Sequence, residues 1–189
     1  MKNFIKIEDS VVDFGDCKNC EARCCKGAFG SLFSQILKEE FEVLYQNFPI
    51  LFIFGSKGFI KPIILISNGY DSCPYLKDNL CSIYEKRPSV CKIYPLSPNL
   101  DNSIYIDSSC PEVFKETNSL DIKVDFFSNY QKSYLDTHFE FDNLKIDDFE
   151  ELLFIKNMRF FKYIGKESSK YLDFHKLSLE NLKNYSFYK

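Results

Sequence analysis

Eight cysteines carry the most distinctive chemistry in this sequence, and all of them lie between Cys17 and Cys110. The first group is Cys17-x2-Cys20-x3-Cys24-Cys25. The second is Cys73, Cys81, Cys91 and Cys110, with a proline directly after Cys73 and after Cys110. A C-x2-C turn brings two sulfurs close enough to bind one metal ion, and each thiol gives up its proton on coordination. Neighbouring side chains diverge in strand and helix geometry. Cys24 and Cys25 are therefore expected to serve two centres, or one to ligate while the other packs. Eight thiols match two four-sulfur sites, or one cluster site with four cysteines left for other work. All-sulfur ligation selects zinc or iron–sulfur over copper, nickel or hard cations. Proline after a ligating cysteine recurs in ferredoxin-type sites, which tilts the expectation towards an iron–sulfur cluster of the 4Fe–4S kind.

Two of the three arginines, Arg23 and Arg87, sit inside the cysteine segments. A guanidinium there can hydrogen-bond sulfur and offset the negative charge of a four-thiolate site. Arg23, Arg87 and Tyr84 are therefore the expected neighbours of a bound cofactor. The plainer alternative pairs Arg87 with Glu85 or with a local carbonyl, and has Tyr84 packing its ring beside the site. Lys18, Lys26, Lys77, Lys86 and Lys92 lie close by in sequence. His138 falls on a helical stripe and reads as a core or boundary residue; nothing ranks a role for His175. The acidic run Asp147, Asp148, Glu150 and Glu151 reads as a solvated first helical turn.

The elements that must position these residues follow from periodicity. Leu37, Phe41, Leu44, Tyr45 and Phe48 predict a helix over about 36–48. Two β-rich runs around Gly55-Ser-Lys-Gly58 predict a hairpin. Residues 73–98 read as loops and short helical turns, and 103–107 as a short strand. Three helices are then expected: one with Phe127, Tyr130, Tyr134 and His138 in a stripe; one capped by Asp147 or Asp148, with Phe149, Leu152, Leu153, Phe160, Phe161 and Ile164 on one face and Gly165 at its end; and one capped by Ser168 or Ser169. The expected class is α+β: a small cysteine-rich metal-binding core with a β-hairpin, packed on helices. Its expected divisions are a cysteine-cluster domain over 1–115 and a helical C-terminal extension over 116–189.

Composition narrows the function. The chain has 189 residues, enough to bury a core without disulfides. Its net charge of −3, from 24 basic and 27 acidic residues, gives no electrostatic reason to expect nucleic acid or an anionic membrane. The most apolar stretch, residues 48–67, is interrupted by Gly55, Lys57, Gly58, Lys61 and Pro62 and fails as a membrane span. Acidic residues arrive at Glu8 and Asp9, before any apolar run of signal-peptide length. The expected compartment is the reducing cytoplasm, where cysteines serve metals or catalysis rather than disulfides.

The segments CKNCEARCC, CPYLKDNLCSIYEKRPSVCKIYP and the Cys110-Pro111 pair resemble the YkgJ-type cysteine-cluster family, over roughly residues 17–112. The resemblance implies a zinc- or iron-chelating domain with eight cysteines: Cys17, Cys20, Cys24, Cys25, Cys73, Cys81, Cys91 and Cys110. One departure is the three residues, Glu21, Ala22 and Arg23, between the second cysteine and the pair; two are usual. A larger relative, the flagellin lysine N-methylase, is similar to this domain and is held to need an iron–sulfur cluster. No glycine-rich nucleotide fingerprint is present, so methyl transfer is not carried over. Three functions stand beside one another: a metal-binding module, a cluster-dependent enzyme with Tyr84, Glu85, Arg87 and Lys92 near an open coordination position, and a metal-handling or interaction protein with structural zinc.

Overall fold

In the computed structural model of the protein, residues 2–8, 11–16, 20–55, 58–99, 103–123 and 127–187 are described. The strands and helices run β1 (Phe4–Lys6), β2 (Val11–Phe14), β3 (Phe33–Gln35), α1 (Phe41–Leu44), β4 (Ile50–Phe54), β5 (Ile60–Leu65), β6 (Leu76–Lys77), β7 (Leu80–Cys81) and α2 (Ser89–Ile93). They continue with β8 (Leu96–Pro98), β9 (Ile104–Asp107), β10 (Asn118–Asp121), α3 (Ser128–Glu140), β11 (Phe149–Ile155), β12 (Met158–Tyr163) and α4 (Lys170–Ser178). The mixture is α+β, with β-hairpins and a C-terminal helix, as expected.

The largest sheet has five antiparallel strands in the order β11-β12-β4-β5-β3. Successive residues of a strand point to opposite faces, and here both faces are covered. Ile50 and Phe52 of β4, with Ile60 and Ile64 of β5, join Phe41, Leu44, Phe141 and Leu172 on one side. Leu51, Ile53, Ile63 and Leu65 join Leu32 and Phe160 on the other, roofed by Leu179, Leu182, Tyr185 and Phe187. This is why the run Ile50–Phe54 is apolar throughout rather than alternating. A third core holds Val12, Leu96, Ile106, Val113, Ile122 and Phe127. It draws members from β8, β9, β2 and β10, strands of the sheet β1-β9-β8 and of the pair β10-β2.

Two expectations change. The predicted second C-terminal helix is a hairpin: β11 and β12 pair antiparallel, joined through Lys156 and Asn157, which both have left-handed backbone (φ 47° and 66°). Phe149, Phe154, Ile155, Phe160, Phe161 and Tyr163 supply the aromatic and β-branched content that suits a strand, and Phe161 pairs with Phe52 of β4. The helical stripe was a coincidence of two strands read through their turn. Asp147 and Asp148 end a single 3-10 turn, not a helix start. Gly165 serves close approach instead of a helix end, since a Cβ there would meet the Tyr163 hydroxyl at 2.5 Å. The helix expected over 36–48 shortens to a 3-10 turn, Lys38–Glu40, followed by α1, although Leu37, Phe41, Leu44 and Phe48 are all buried. The hairpin of β4 and β5 stands as predicted, with its tip at Ser56 and Lys57 outside the described residues. Ser169 caps α4, its Oγ accepting from the Leu172 N–H at 3.3 Å. Among the described residues, no helix is long and apolar enough to cross a membrane.

Candidate metal centre

Backbone bonds tie the segment of Cys20, Cys24 and Cys25 to that of Cys73. Ala22 adopts a left-handed conformation (φ 51°) and opens a 3-10 turn over Arg23–Cys25. The Ala22 N–H donates to Cys20 Sγ at 3.2 Å. The second segment lies alongside: the Cys73 N–H donates to the Cys25 carbonyl at 2.7 Å, and the Gly27 N–H to that of Asp71 at 3.0 Å. Gly27 is required by this approach, since a Cβ would lie 2.7 Å from backbone atoms of Gly69 and Tyr70.

Cys81 ends the two-residue hairpin β6–β7, whose turn residues Asp78 and Asn79 have positive φ. Cys91 sits in α2, one turn after Pro88, which accepts its N–H at 2.9 Å. That helix is anchored through Glu40, whose carboxylate accepts from the Ser89 N–H at 2.6 Å and the Leu37 N–H at 3.0 Å. Cys110 follows a tight turn built on Asp107, whose fully buried carboxylate accepts from the N–H of Asn3 and the N–H and hydroxyl of Ser109, and from the Tyr94 hydroxyl at 2.9 Å. Burial raises the Asp107 carboxyl, yet these hydrogen bonds outweigh it and hold the group below the usual carboxylate range.

The seven described cysteines carry reduced thiols; Cys17 lies outside the described residues. Cys24 and Cys25 do not diverge: their sulfurs are 3.9 Å apart, because a 3-10 turn rather than a strand or α-helix carries them. Two sulfurs each about 2.3 Å from one tetrahedral zinc stand about 3.8 Å apart. Cys24, Cys81 and Cys91 lie within electrostatic reach of Cys73, and Cys24 and Cys81 within reach of Cys91. The Cys24 thiol is pushed up first by its hydrogen bond with Cys25 and then by burial. Burial pushes Cys73 up to about 12, with Cys91 and Cys81 adding repulsion. Burial likewise pushes Cys91 up to about 12, with Cys24 and Cys81 adding to it.

Such a set cannot ionise together without a compensating cation, and a bound metal supplies that charge and drives deprotonation. The donor chemistry therefore fits zinc or iron. Among the described residues, no three Cys, His, Asp or Glu side chains already enclose a single ion.

The expected neighbours are placed unevenly. Arg23 is held by Glu21 at 3.1 Å and lines a cavity of about 360 Å³ together with Cys20, Cys24 and Cys110. Arg87 donates from Nε to the Tyr84 carbonyl at 2.9 Å and stacks on the Tyr84 ring, 3.4 Å from its centroid. It still bears on the site, since its charge favours ionised Cys91. Tyr84 is exposed. Lys2, Tyr94 and Asp107 join the site through contacts that residue type and spacing do not signal. Lys2 favours ionised Cys24 and Cys91 and sits over the Tyr94 ring at 5.0 Å. Only the Asp107-Ser-Ser triplet carried a signal, that of an aspartate turn before a ligand.

His138 packs edge-on to Phe59, and His175 lies under the large sheet, joining two strands rather than any metal.

Residues 16–111, just over half the chain, match the family model CxxCxxCC, described as a zinc- or iron-chelating domain. The chain belongs to this family. The family's description agrees with zinc or an iron–sulfur cluster as the group bound, and the matched span closes one residue after Cys110. No curated protein and no solved structure matches the chain.

Proposed function

We propose that the protein is a cysteine-cluster metal protein of a reducing compartment, in which Cys17, Cys20, Cys24, Cys25, Cys73, Cys81, Cys91 and Cys110 hold an iron–sulfur cluster in preference to zinc. The observation that supports this reading is the approach of Cys24 Sγ to Cys25 Sγ at 3.9 Å, beside buried Cys73, whose N–H bonds the Cys25 carbonyl, with Cys81 and Cys91 close enough to disfavour an ionised Cys73. Arg23, Arg87 and Lys2 supply positive charge around the thiolates, and the Ala22 N–H fixes Cys20 Sγ. The bound metal supplies redox or Lewis-acid character and ties the segments together.

Anaerobic purification followed by an absorption spectrum and elemental analysis tests the reading. Iron with acid-labile sulfide and a broad visible charge-transfer band is the expected result. A colourless protein with stoichiometric zinc would replace the cluster with a structural zinc site. Protein free of metal, with every thiol open to titration, would overturn both. C24S and C73S are expected to lose most of the metal, because each thiol reaches several others.

A further inference from the structure

Two strand edges border one cleft away from the cysteines. β3 ends the five-stranded sheet and β8 ends the sheet β1-β9-β8, so each has one side without a neighbouring strand. Both line a cavity of about 590 Å³, β3 through Phe33, Ser34 and Gln35 and β8 through Leu96, Ser97 and Pro98. Among the described residues, no cysteine lines it.

The ladder bonds show which backbone groups stay open. An antiparallel strand bonds a given neighbour through alternate residues. The Leu32 carbonyl accepts from the Ile66 N–H and the Ile36 N–H donates to the Pro62 carbonyl, so Leu32, Ser34 and Ile36 face β5. Phe33 and Gln35 therefore turn their N–H and carbonyl groups outward, and neither N–H has an acceptor among the described residues. On β8 the Pro95 carbonyl accepts from the Asp107 N–H, and the Asn99 N–H donates to the Ser103 carbonyl. Leu96 and Pro98 are thus the outward residues there, and proline brings no donor. β3 is the edge that can both give and accept.

The remaining lining suits an extended chain whose side chains alternate between two faces. Leu32, Val90 and Ile93 are apolar, while Gln131 and Tyr134 bring amide and hydroxyl groups. Lys2 and Lys61 also line the cleft, and among the described residues no Asp or Glu does. Lys2 already bears on Cys24 and Cys91. Lys61 is the cation left to a ligand, with no carboxylate partner among the described residues. Neither edge strand carries a carboxylate to meet it, so a second copy paired edge to edge would leave Lys61 unanswered.

We propose that β3 accepts an added strand: an extended, acidic segment of a partner protein. Its backbone pairs with Phe33 and Gln35, its carboxylate meets Lys61, and its alternate apolar side chains pack on the Leu32 and Val90 side. In this mode main-chain bonds give affinity and the side-chain contacts give selectivity. The proposal stands apart from the metal reading.

The test uses the full chain as purified, with metal content measured on the same samples. The peptide acetyl-TVDVTV-amide, titrated calorimetrically, is expected to bind with Kd of about 0.5 mM or tighter. Its counterpart with every backbone amide N-methylated should bind at least about tenfold more weakly, since it has no donors. The version with lysine in place of aspartate should lose about threefold, and K61E should reverse that preference. Q35P removes only an outward N–H and should weaken the parent peptide about three- to tenfold. Bound peptide should slow amide exchange at Phe33 and Gln35 about tenfold or more, a reading on the unaltered protein that holds if Q35P does not fold. Equal binding of the parent and N-methylated peptides at unchanged metal content overturns the proposal. So does binding that leaves the Phe33 and Gln35 amides unprotected, which places the peptide elsewhere. A dimer in which those amides are already protected overturns it in favour of a second copy of the chain.

Discussion

At the scale of single residues, the firmest structural role belongs to a histidine that spacing could not rank. His175 is fully buried on α4, and its Nε2 accepts from the Tyr163 N–H at 3.0 Å. Its Nδ1 meets the Ile50 carbonyl at 2.7 Å, so the proton sits on Nδ1. One imidazole thus bridges β12 and β4, two strands of the same sheet. A second proton would have to be placed on Nε2, against an N–H donor. Burial is the main cause that pushes His175 down to about 4. The unfolded chain, with an ordinary value near 6.5, then binds the extra proton first. Stability is therefore full above about pH 6.5 and falls as pH drops towards 4, by on the order of 3 kcal/mol. Asp107 acts in the same direction at lower pH: its depressed carboxyl contributes above the ordinary carboxylate value and loses that contribution as the group is protonated. Urea melts at pH 7, 5.5 and 4 should show the first loss, and H175Q should flatten it. An unchanged slope in H175Q would remove His175 from the account. D107A is expected to cost about 2–4 kcal/mol at pH 7, because it leaves several donors without an acceptor.

At the scale of elements, legibility tracked how local the causes were. The cap of α4 lies within a few residues of its helix, and the stripe of α3 along its length, so both could be read directly. The β4–β5 hairpin was legible from two apolar runs and a turn. The β11–β12 pair was not, because the register that decides it is set by β4, about 100 residues away in the chain. Its one local mark is Lys156-Asn157, both in left-handed backbone, a conformation asparagine tolerates and β-branched residues do not. N157V should therefore cost about 1–2 kcal/mol, about 2–8 °C in Tm for a chain of this size, while N157G should be close to neutral. Equal melting of N157V and the parent protein would refute this account of the turn. The cysteine site divides in the same way. Its ligand candidates were legible from type and spacing, but the closeness of Cys24 to Cys25 and the roles of Lys2, Tyr94, Asp107 and Glu40 depend on contacts between distant segments.

At the scale of the whole molecule, two kinds of order coexist. The five-stranded sheet is covered by apolar residues on both faces, and its cores include fully buried Phe41, Phe52, Phe141 and Phe160. It has the means to hold itself together. The cysteine segments instead consist of 3-10 turns, a two-residue hairpin and a five-residue helix. They are stitched to one another by few backbone bonds, such as Cys73 to Cys25 and Gly27 to Asp71. Loops of this kind recover their ordering entropy from a ligand shared between them. Metal at about 1,000 times its Kd contributes about 4 kcal/mol to the folded state. Removing it should therefore lower Tm and expose residues 20–30 and 70–112 to amide exchange, while β4, β5 and β12 stay protected. The measurement is hydrogen exchange on metal-loaded and chelator-treated protein, compared segment by segment. Identical exchange in both would mean that the turns are ordered without metal. Loss of protection across the sheet as well would mean that the centre and the sheet fold as one cooperative unit, joined through Cys25, Cys73 and Tyr75, which pack against the core of the sheet.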